Sequence, residues 1–276
     1  MSVETVAATT IVPASRPRIS SGVRRGAISI LVLLLAWFIF DDLLGLIPTR
    51  TLPPLMEVFG TAANLMVEPY AGETLWGHIG QSMTRWSLGV LAAVGLGVPL
   101  GMLRGWSRFA DAALNPLFNA LRSVPPLAWI PLAILWLGTG LVTELLLVFI
   151  AAFPPIVINA YHGARSIDPQ VIGAARTAGA SSLRQLVQIV IPTELPQLVS
   201  GLRVALGNGL MAVIAAELVS AKSGLGFLII RGQQDFQPDL IVVGMLVIAF
   251  IGLTVDALLT IVTRPLLRWR NTEDRH

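Results

Sequence analysis

The stretch LVTELLLVFIAAFPPIVINA, residues 141–160, decides the fold. It holds one charged residue, Glu144, in twenty. Twenty residues in helical rise cover about 30 Å, the thickness of a bilayer's hydrocarbon core. Neither the run's length nor its lack of alternation fits a strand. Pro154 and Pro155 inside it predict a bend rather than a stop, because a span's freed backbone groups find partners in neighbouring helices. Similar runs lie on both sides, at about Ala27–Ile47, Trp86–Leu103, Ser123–Leu137, Leu198–Ser220 and Leu240–Val262. The expected fold is an all-α integral membrane protein with about six transmembrane helices. In the third run Pro125, Pro126 and Pro131 predict a bent or partly unwound start. The first run passes from Trp37, Phe38, Ile39 and Phe40 into Asp41 and Asp42, not into a small-residue cleavage site, so it reads as a retained span.

Composition agrees. Hydrophobic residues make up 54% and charged residues 13% of 276, with a mean hydropathy of +0.75; soluble domains carry about 25% charged residues. The net charge of +3 is no nucleic-acid footprint, because the arginines sit in short connectors between apolar runs. With no cysteine, disulfides, thiolate zinc sites and cysteine nucleophiles are excluded. If the N-terminus is cytoplasmic, one side receives Arg16, Arg18, Arg24, Arg25, Arg104, Arg108, Arg165, Arg176, Arg184, Arg264, Arg268, Arg270 and Arg275. The other side receives Arg50, Arg85, Lys222 and Arg231. That asymmetry of 13 to 4 predicts both termini in the cytoplasm. Residues 1–22 read as a mobile tail, 23–270 as the membrane domain and 271–276 as a C-terminal tail.

Two connectors carry pattern. In the outer segment from Pro48 to Gln81, Leu55, Val58, Phe59, Ala62, Leu65 and Met66 recur at helical spacing. They predict an amphipathic helix, at the interface or packed on the bundle. The cytoplasmic loop 161–197 begins a helix at Asp168-Pro169, a cap followed by proline at the first helical position. Gly173-Ala174-Ala175-Arg176-Thr177-Ala178 then offers small residues on one side, and Gly179 interrupts. Ser181 or Ser182 can cap a second helix, Leu183–Ile191, with Leu183, Leu186, Val187 and Val190 on one face. Pro192 and Pro196 are expected to break the chain before the next span. The loop therefore reads as a helix–glycine–helix with a small-residue surface that a partner protein could approach closely.

This loop resembles the signature of bacterial ABC-importer permeases: Glu-Ala-Ala, three residues, Gly, nine residues, Ile, any residue, Leu, Pro. Here Gly173-Ala174-Ala175, Gly179 and Ile189-Val190-Ile191-Pro192 stand at that spacing. Gly173 replaces the usual Glu, and Ile191 replaces the usual Leu. The resemblance covers roughly Leu75 to Trp269, including Arg122-Ser123-Val124-Pro125-Pro126-Leu127-Ala128-Trp129-Ile130-Pro131-Leu132. Gly201-Leu202-Arg203, Ala215-Ala216-Glu217-Leu218 and Ser223-Gly224-Leu225-Gly226-Phe227 are similar to the branch importing taurine, other sulfonates and nitrate. It implies a permease of type I ABC-importer fold in the bacterial inner membrane, present in two copies. It also implies two cytosolic ATPase subunits and an extracytoplasmic binding protein. The coupling loop to the ATPase would then include Gly173, Ala174, Ala175, Arg176, Ala178, Gly179, Ala180, Ser182, Leu183 and Pro192. The implied cargo is a small anion, taurine or an alkanesulfonate ahead of nitrate.

No chemistry of its own is expected of the chain. It has no G-x-x-x-x-G-K-[ST] loop, and its one lysine, Lys222, follows Ala221. ATP and magnesium therefore belong to a partner, and no cofactor or metal site is expected; His78, His162 and His276 are scattered. Arg203, Asn208, Met211 and Glu217 in the fifth span are candidates for the translocation path or a gate. Arg203 reads first as snorkelling or bracing the loop and second as an anion contact, and Glu217 reads first as a structural partner of Lys222 or Arg231. Glu144 and Asp256 read as buried partners or interface residues. Gly201, Gly207 and Gly209 allow close helix approach, and the fifth span is expected at the centre of a permease pair. The alternative function is a secondary carrier or channel acting alone, which would call for internal repeats and charges at the bilayer midplane.

Overall fold

The computed structural model describes residues 21–43 and 52–266, in two compact units divided between Pro48 and Thr49. In the first unit, α1 (Ser21–Trp37) continues as a π-helical turn over Phe38–Leu43 that contains Asp41 and Asp42. This is the first expected span; its end at Ile47, most of the N-terminal tail and the C-terminal tail lie outside the described residues.

The second unit is built on three long helices: α3 (Leu75–Trp106), α6 (Leu141–Arg165) and α9 (Ile191–Ser220). Around them are α2 (Leu55–Val67), α4 (Arg108–Ser123), α5 (Ile130–Leu137), α7 (Pro169–Thr177), α8 (Ser182–Gln185), α10 (Leu225–Gln234) and α11 (Pro238–Leu266). Packing of α3 on α6 follows from an arithmetic of small residues. Gly89, Ala93, Gly97, Gly101 and Gly105 recur every fourth position of α3, facing Val148, Ala152, Ile156, Ala160 and Ala164 of α6. A Cβ at Gly89, Gly97 or Gly101 would stand 2.6, 2.9 and 2.6 Å from Val148, Ile156 and Ala160. Between lipid-facing helices, where no hydrophobic gradient drives association, such backbone approach supplies the van der Waals contact.

The same economy recurs on α9. Gly201 of α9 packs on Asn159 of α6, and Gly209 packs on Val90 and Trp86 of α3, whose indole donates to the Leu206 carbonyl at 3.0 Å. Gly201 and Gly209 thus serve contacts within the chain. Only Gly207 of the three is open.

The two proline pairs fare differently against expectation, the first not stopping its helix, as predicted, and the second failing to break the chain. Pro154 and Pro155 lie within an uninterrupted α6, where Asn159 donates to the Pro155 carbonyl at 2.8 Å. Pro192 and Pro196 do not break the chain either: α9 begins at Ile191 and passes through both. A π-helical stretch over Leu186–Val190 joins α8 to α9, so one continuous helix runs from Val187 to Ser220. The widened turn moves the apolar face. Val190 is buried while Val187 is exposed, so the expected Leu183–Val190 stripe is not a single buried face.

The third span starts earlier than its apolar run. Helix α4 is joined through Val124-Pro125 and a 3₁₀ turn (Pro126–Trp129) to α5, with a bend of 87° between the two arms. Asp111 meets Tyr161, Phe118 meets Phe153, and α5 packs by Ala133 on Leu147. The pair is a bent hairpin against the bundle, α4 lying mainly on α3 and touching α6 at Asp111 and Phe118, α5 lying on α6, and Ser123–Leu137 covers only its second arm. Among the described residues, α3, α6, α9 and α11 are long and apolar enough to cross a membrane, and the bent α4–α5 pair is apolar enough to form a broken span or a re-entrant loop.

At the end of the bundle where α3 begins, α2 packs through Leu55, Val58 and Leu65, leaving Met56, Phe59 and Met66 exposed. Thr61 of α2 donates to Asp239 of α11 at 2.6 Å, and Tyr70 donates to Asp235 at 2.5 Å. Burial and the neighbouring carboxylate of Asp235 push the Tyr70 hydroxyl up to about 12.

Candidate functional site

Asp168 caps α7 by accepting from the Gln170 amide at 2.8 Å, and Pro169 fills the first turn. The helix ends on a complete Schellman motif. The Gly179 amide donates to the Arg176 carbonyl and the Ala180 amide to the Ala175 carbonyl, each at 2.9 Å, with Gly179 at φ +80°. Ser181, not Ser182, caps α8, accepting from the Arg184 amide at 3.4 Å. Gly173, Ala174, Arg176, Ala178 and Gly179 are exposed, and nothing lies within 4 Å of a Cβ built at Gly173 or Gly179. Ala175 and Ala180 are half-buried beneath them. The backbone places Ser182 and Leu183 in the first turn of α8 and Pro192 in the first turn of α9. Gln185, absent from the sequence-derived candidates, is buried and donates to the Ala180 carbonyl at 2.8 Å, fastening the turn to the second helix. The result is a rigid knuckle of small side chains at the end of the bundle where α3 and α6 finish.

Arg203, Asn208 and Met211 fall on one exposed face of α9, with Ser200, Val204 and Gly207. Glu217 does not join them. It is buried where α3, α6, α9 and the start of α10 converge. Its carboxylate accepts from Arg85 Nη1 at 2.9 Å, from the Ser82 hydroxyl at 2.8 Å and from the Gly226 amide at 2.9 Å. Arg85 Nε meets Glu144 Oε2 at 2.5 Å, and its Nη1 and Nη2 donate to the carbonyl and hydroxyl of Ser223 at 2.8 and 3.0 Å. The expected partners Lys222 and Arg231 are not used; Arg85, 132 residues away, takes their place. Glu144 is the buried partner expected, and Asp256 is paired with Arg203 yet exposed.

The Ser223–Phe227 motif explains itself here. Gly224 (φ +115°), Leu225 and Gly226 turn three successive amides inward: to His78 Nδ1 at 3.0 Å, to Ser82 at 2.8 Å and to Glu217. His78 Nε2 faces the Tyr70 carbonyl at 3.1 Å, so its proton sits on Nε2 and Nδ1 accepts. A Cβ at Gly224 would stand 2.5 Å from the Glu217 carboxylate. Two carboxylates share one guanidinium, and the N-terminus of α10 supplies the remaining positive potential.

Helices too apolar for water, a broken span and a projecting small-residue knuckle define a polytopic α-helical transport subunit of the membrane. Residues 89–269 match the family described as "Binding-protein-dependent transport system inner membrane component", and the chain belongs to that family of ABC-transporter permeases. It is 35% identical to the taurine transport system permease protein TauC of Escherichia coli over 239 residues, 86% of each chain. It is 32% identical to a putative aliphatic sulfonates transport permease protein SsuC of Bacillus subtilis, over 91% of this chain and 89% of that one. It is 31% identical to the nitrate import permease protein NrtB of Synechocystis sp., over 86% of each. In fold it is similar to a chain of the inward-facing MetNI methionine ABC transporter, with TM-score 0.56 and 20% identity, covering 69% of this chain and 98% of that one.

Proposed function

We propose that this permease, as a symmetric pair, passes a small sulfonate such as taurine or an alkanesulfonate through the membrane, with nitrate next in preference. Two cytosolic ATPase subunits hold the ATP and magnesium and drive the cycle, and an extracytoplasmic binding protein delivers the anion. The observation that carries the reading is the Schellman-capped knuckle at Gly179, which offers a rigid, small-residue surface to a partner's groove. The names of the relatives support the class of cargo. The exposed face of α9 with Arg203, Asn208 and Met211 is polar enough to line a path between two copies, whereas Glu217 serves the outer end as part of a buried clasp. The deciding experiment purifies the complex, weighs it, and measures uptake in vesicles with the cognate binding protein, after calorimetric titration of that protein with taurine, ethanesulfonate and nitrate. We expect two permeases and two ATPases, with sulfonate the tightest ligand. A single permease copy, or uptake without the binding protein, would refute the assembly; a binding protein that ignores sulfonates would refute the cargo.

Both termini lie in the cytoplasm in this reading. Because the chain has no cysteine, a membrane-impermeant thiol reagent reports single introduced cysteines cleanly. In intact cells it is expected to label Glu68→Cys and to spare Asp168→Cys, and the reverse pattern would invert the orientation.

A further inference from the structure

Arg203 and Asp256 form an ion pair at 3.0 Å between α9 and α11, with side chains 51% and 59% exposed. An exposed charge pair on helices of this apolarity is costly against hydrocarbon, so something polar covers it. Three features point to an anion. First, the guanidinium is held but not saturated. Its Nε faces Asp256 and its Nη2 donates to the Thr260 hydroxyl at 2.8 Å, which leaves Nη1 without a partner among the described residues.

Second, the cavity that Arg203 borders toward the end of α11, about 350 Å³, is bordered also by Arg264, Ser200, Thr260 and Thr263. Arg264 and Ser200 make no hydrogen bond or ion pair with other described residues, and Thr260 accepts from Arg203 with its own proton unused. Thr263 is spent, since its hydroxyl donates to the Leu259 carbonyl at 2.7 Å. Two guanidinium groups and two hydroxyl donors thus converge on one space. Among the described residues no carboxylate borders it; Asp256 borders the adjoining cavity on the other side of Arg203.

Third, the site lies at a cationic end of the bundle, with Arg264 one turn beyond Thr260 on α11. This is the end of the bundle that carries Arg104 and Arg165, and exposed Ile261 and Val262 adjoin it on α11.

We infer that the α9–α11 cavity is a binding site for a tetrahedral oxyanion, held by Arg203, Arg264, Ser200 and Thr260, and that Asp256 is its built-in competitor. The oxyanion is the phosphate of an acidic lipid or a soluble phosphate or sulfonate, and both present the same three or four acceptor oxygens to charge-assisted donors. The inference does not require the transport reading, because the lipid source needs neither ATPase nor cargo.

The full-length chain in phosphatidylcholine nanodiscs doped with phosphatidylglycerol provides the test. Native mass spectrometry counts the phosphatidylglycerol retained per permease, and equilibrium dialysis in undoped discs measures bound inorganic phosphate and ethanesulfonate. Arg264→Gln removes a cation that makes no hydrogen bond or ion pair with other described residues, so the bundle is expected to fold as before; we expect it to weaken retention about five- to tenfold. Asp256→Asn, which frees Arg203, is expected to strengthen retention several-fold, and Lys222→Gln, away from the cavity, to change nothing. Retention of phosphatidylglycerol with this ordering identifies a lipid headgroup, and the same ordering with phosphate or ethanesulfonate alone identifies a soluble anion. If Arg264→Gln binds every one of these probes as the native chain does, the site is refuted. Weaker binding by Asp256→Asn would overturn the competitor role.

Discussion

Gly179→Leu is expected to leave membrane insertion and yield near normal while reducing stimulated ATP hydrolysis and uptake at least tenfold. The residue stands at φ +80°, where a side chain's Cβ crowds the carbonyl at a cost of roughly 1–2 kcal/mol. The surrounding bonds hold that angle, because the Gly179 and Ala180 amides close the Schellman pair on Arg176 and Ala175. A leucine there either keeps the angle under strain or unwinds the end of α7 and releases Gln185 from the Ala180 carbonyl. In both cases an isobutyl group also projects into space now empty within 4 Å, the space a partner's groove would use. The bundle is indifferent, since α3, α6 and α9 meet elsewhere. Gly179→Ala separates the two effects: it keeps most of the strain with little of the bulk. Near-native coupling in Gly179→Ala with loss in Gly179→Leu assigns the defect to docking. Reconstituted vesicles with the ATPase and loaded binding protein give the measurement, and wild-type uptake by the leucine variant would refute the coupling role.

The loop was legible in sequence because its determinants are local. Asp168-Pro169 starts a helix, a glycine ends it, and Ser181 starts the next, each by bonds reaching no further than five residues. The apolar spans were legible for the same reason: a run of twenty such residues carries its own solvent preference. What escaped depends on partners distant in the chain. Helix α4 mixes Asp111, Asn115 and Asn119 with Phe118, so its period is diluted. Its polar side turns out to serve Arg104, which donates to Asp111 at 3.1 Å and to Asn115 at 2.8 Å. Pro192 and Pro196 read as breaks by rules learned in water, where freed carbonyls are solvated; here a π turn carries the helix onward. Arg85 read as part of an outer connector. The charge that argued it out of the span is the reason it is buried, because two glutamates on other helices await it.

Removing that arginine is predicted to be the most destabilising single change in the bundle. Arg85 is 8% exposed, and Glu144 and Glu217 are essentially inaccessible. Arg85→Met keeps the volume of the side chain and leaves two carboxylates facing each other with no cation. Breaking a buried ion pair from one side costs about 3–5 kcal/mol, because the abandoned charge stays desolvated. At roughly 2–4 °C per kcal/mol for a domain of this size, the unfolding temperature in detergent is expected to fall on the order of 10 °C. The glutamates do not depend on the arginine alone: the Gly226 amide at the start of α10 and the Ser82 hydroxyl still donate to Glu217, and Ser220 stands 3.4 Å from Glu144. Those donors suit neutral acceptors as well. The triple change Arg85→Met, Glu144→Gln, Glu217→Gln is therefore expected to recover most of the lost stability, since no buried charge is left over. Recovery would show that the single variant fails through the orphaned carboxylates, whereas a triple variant as unstable as Arg85→Met would show that the guanidinium's bonds to Ser223 carry the clasp. Uptake by the stable triple variant then separates two roles for the cluster. A passive clasp keeps transport, because packing and neutral hydrogen bonds hold α10 as before. A clasp that must open as the outer end rearranges loses it, because the neutral cluster no longer has the same balance between closed and open ends.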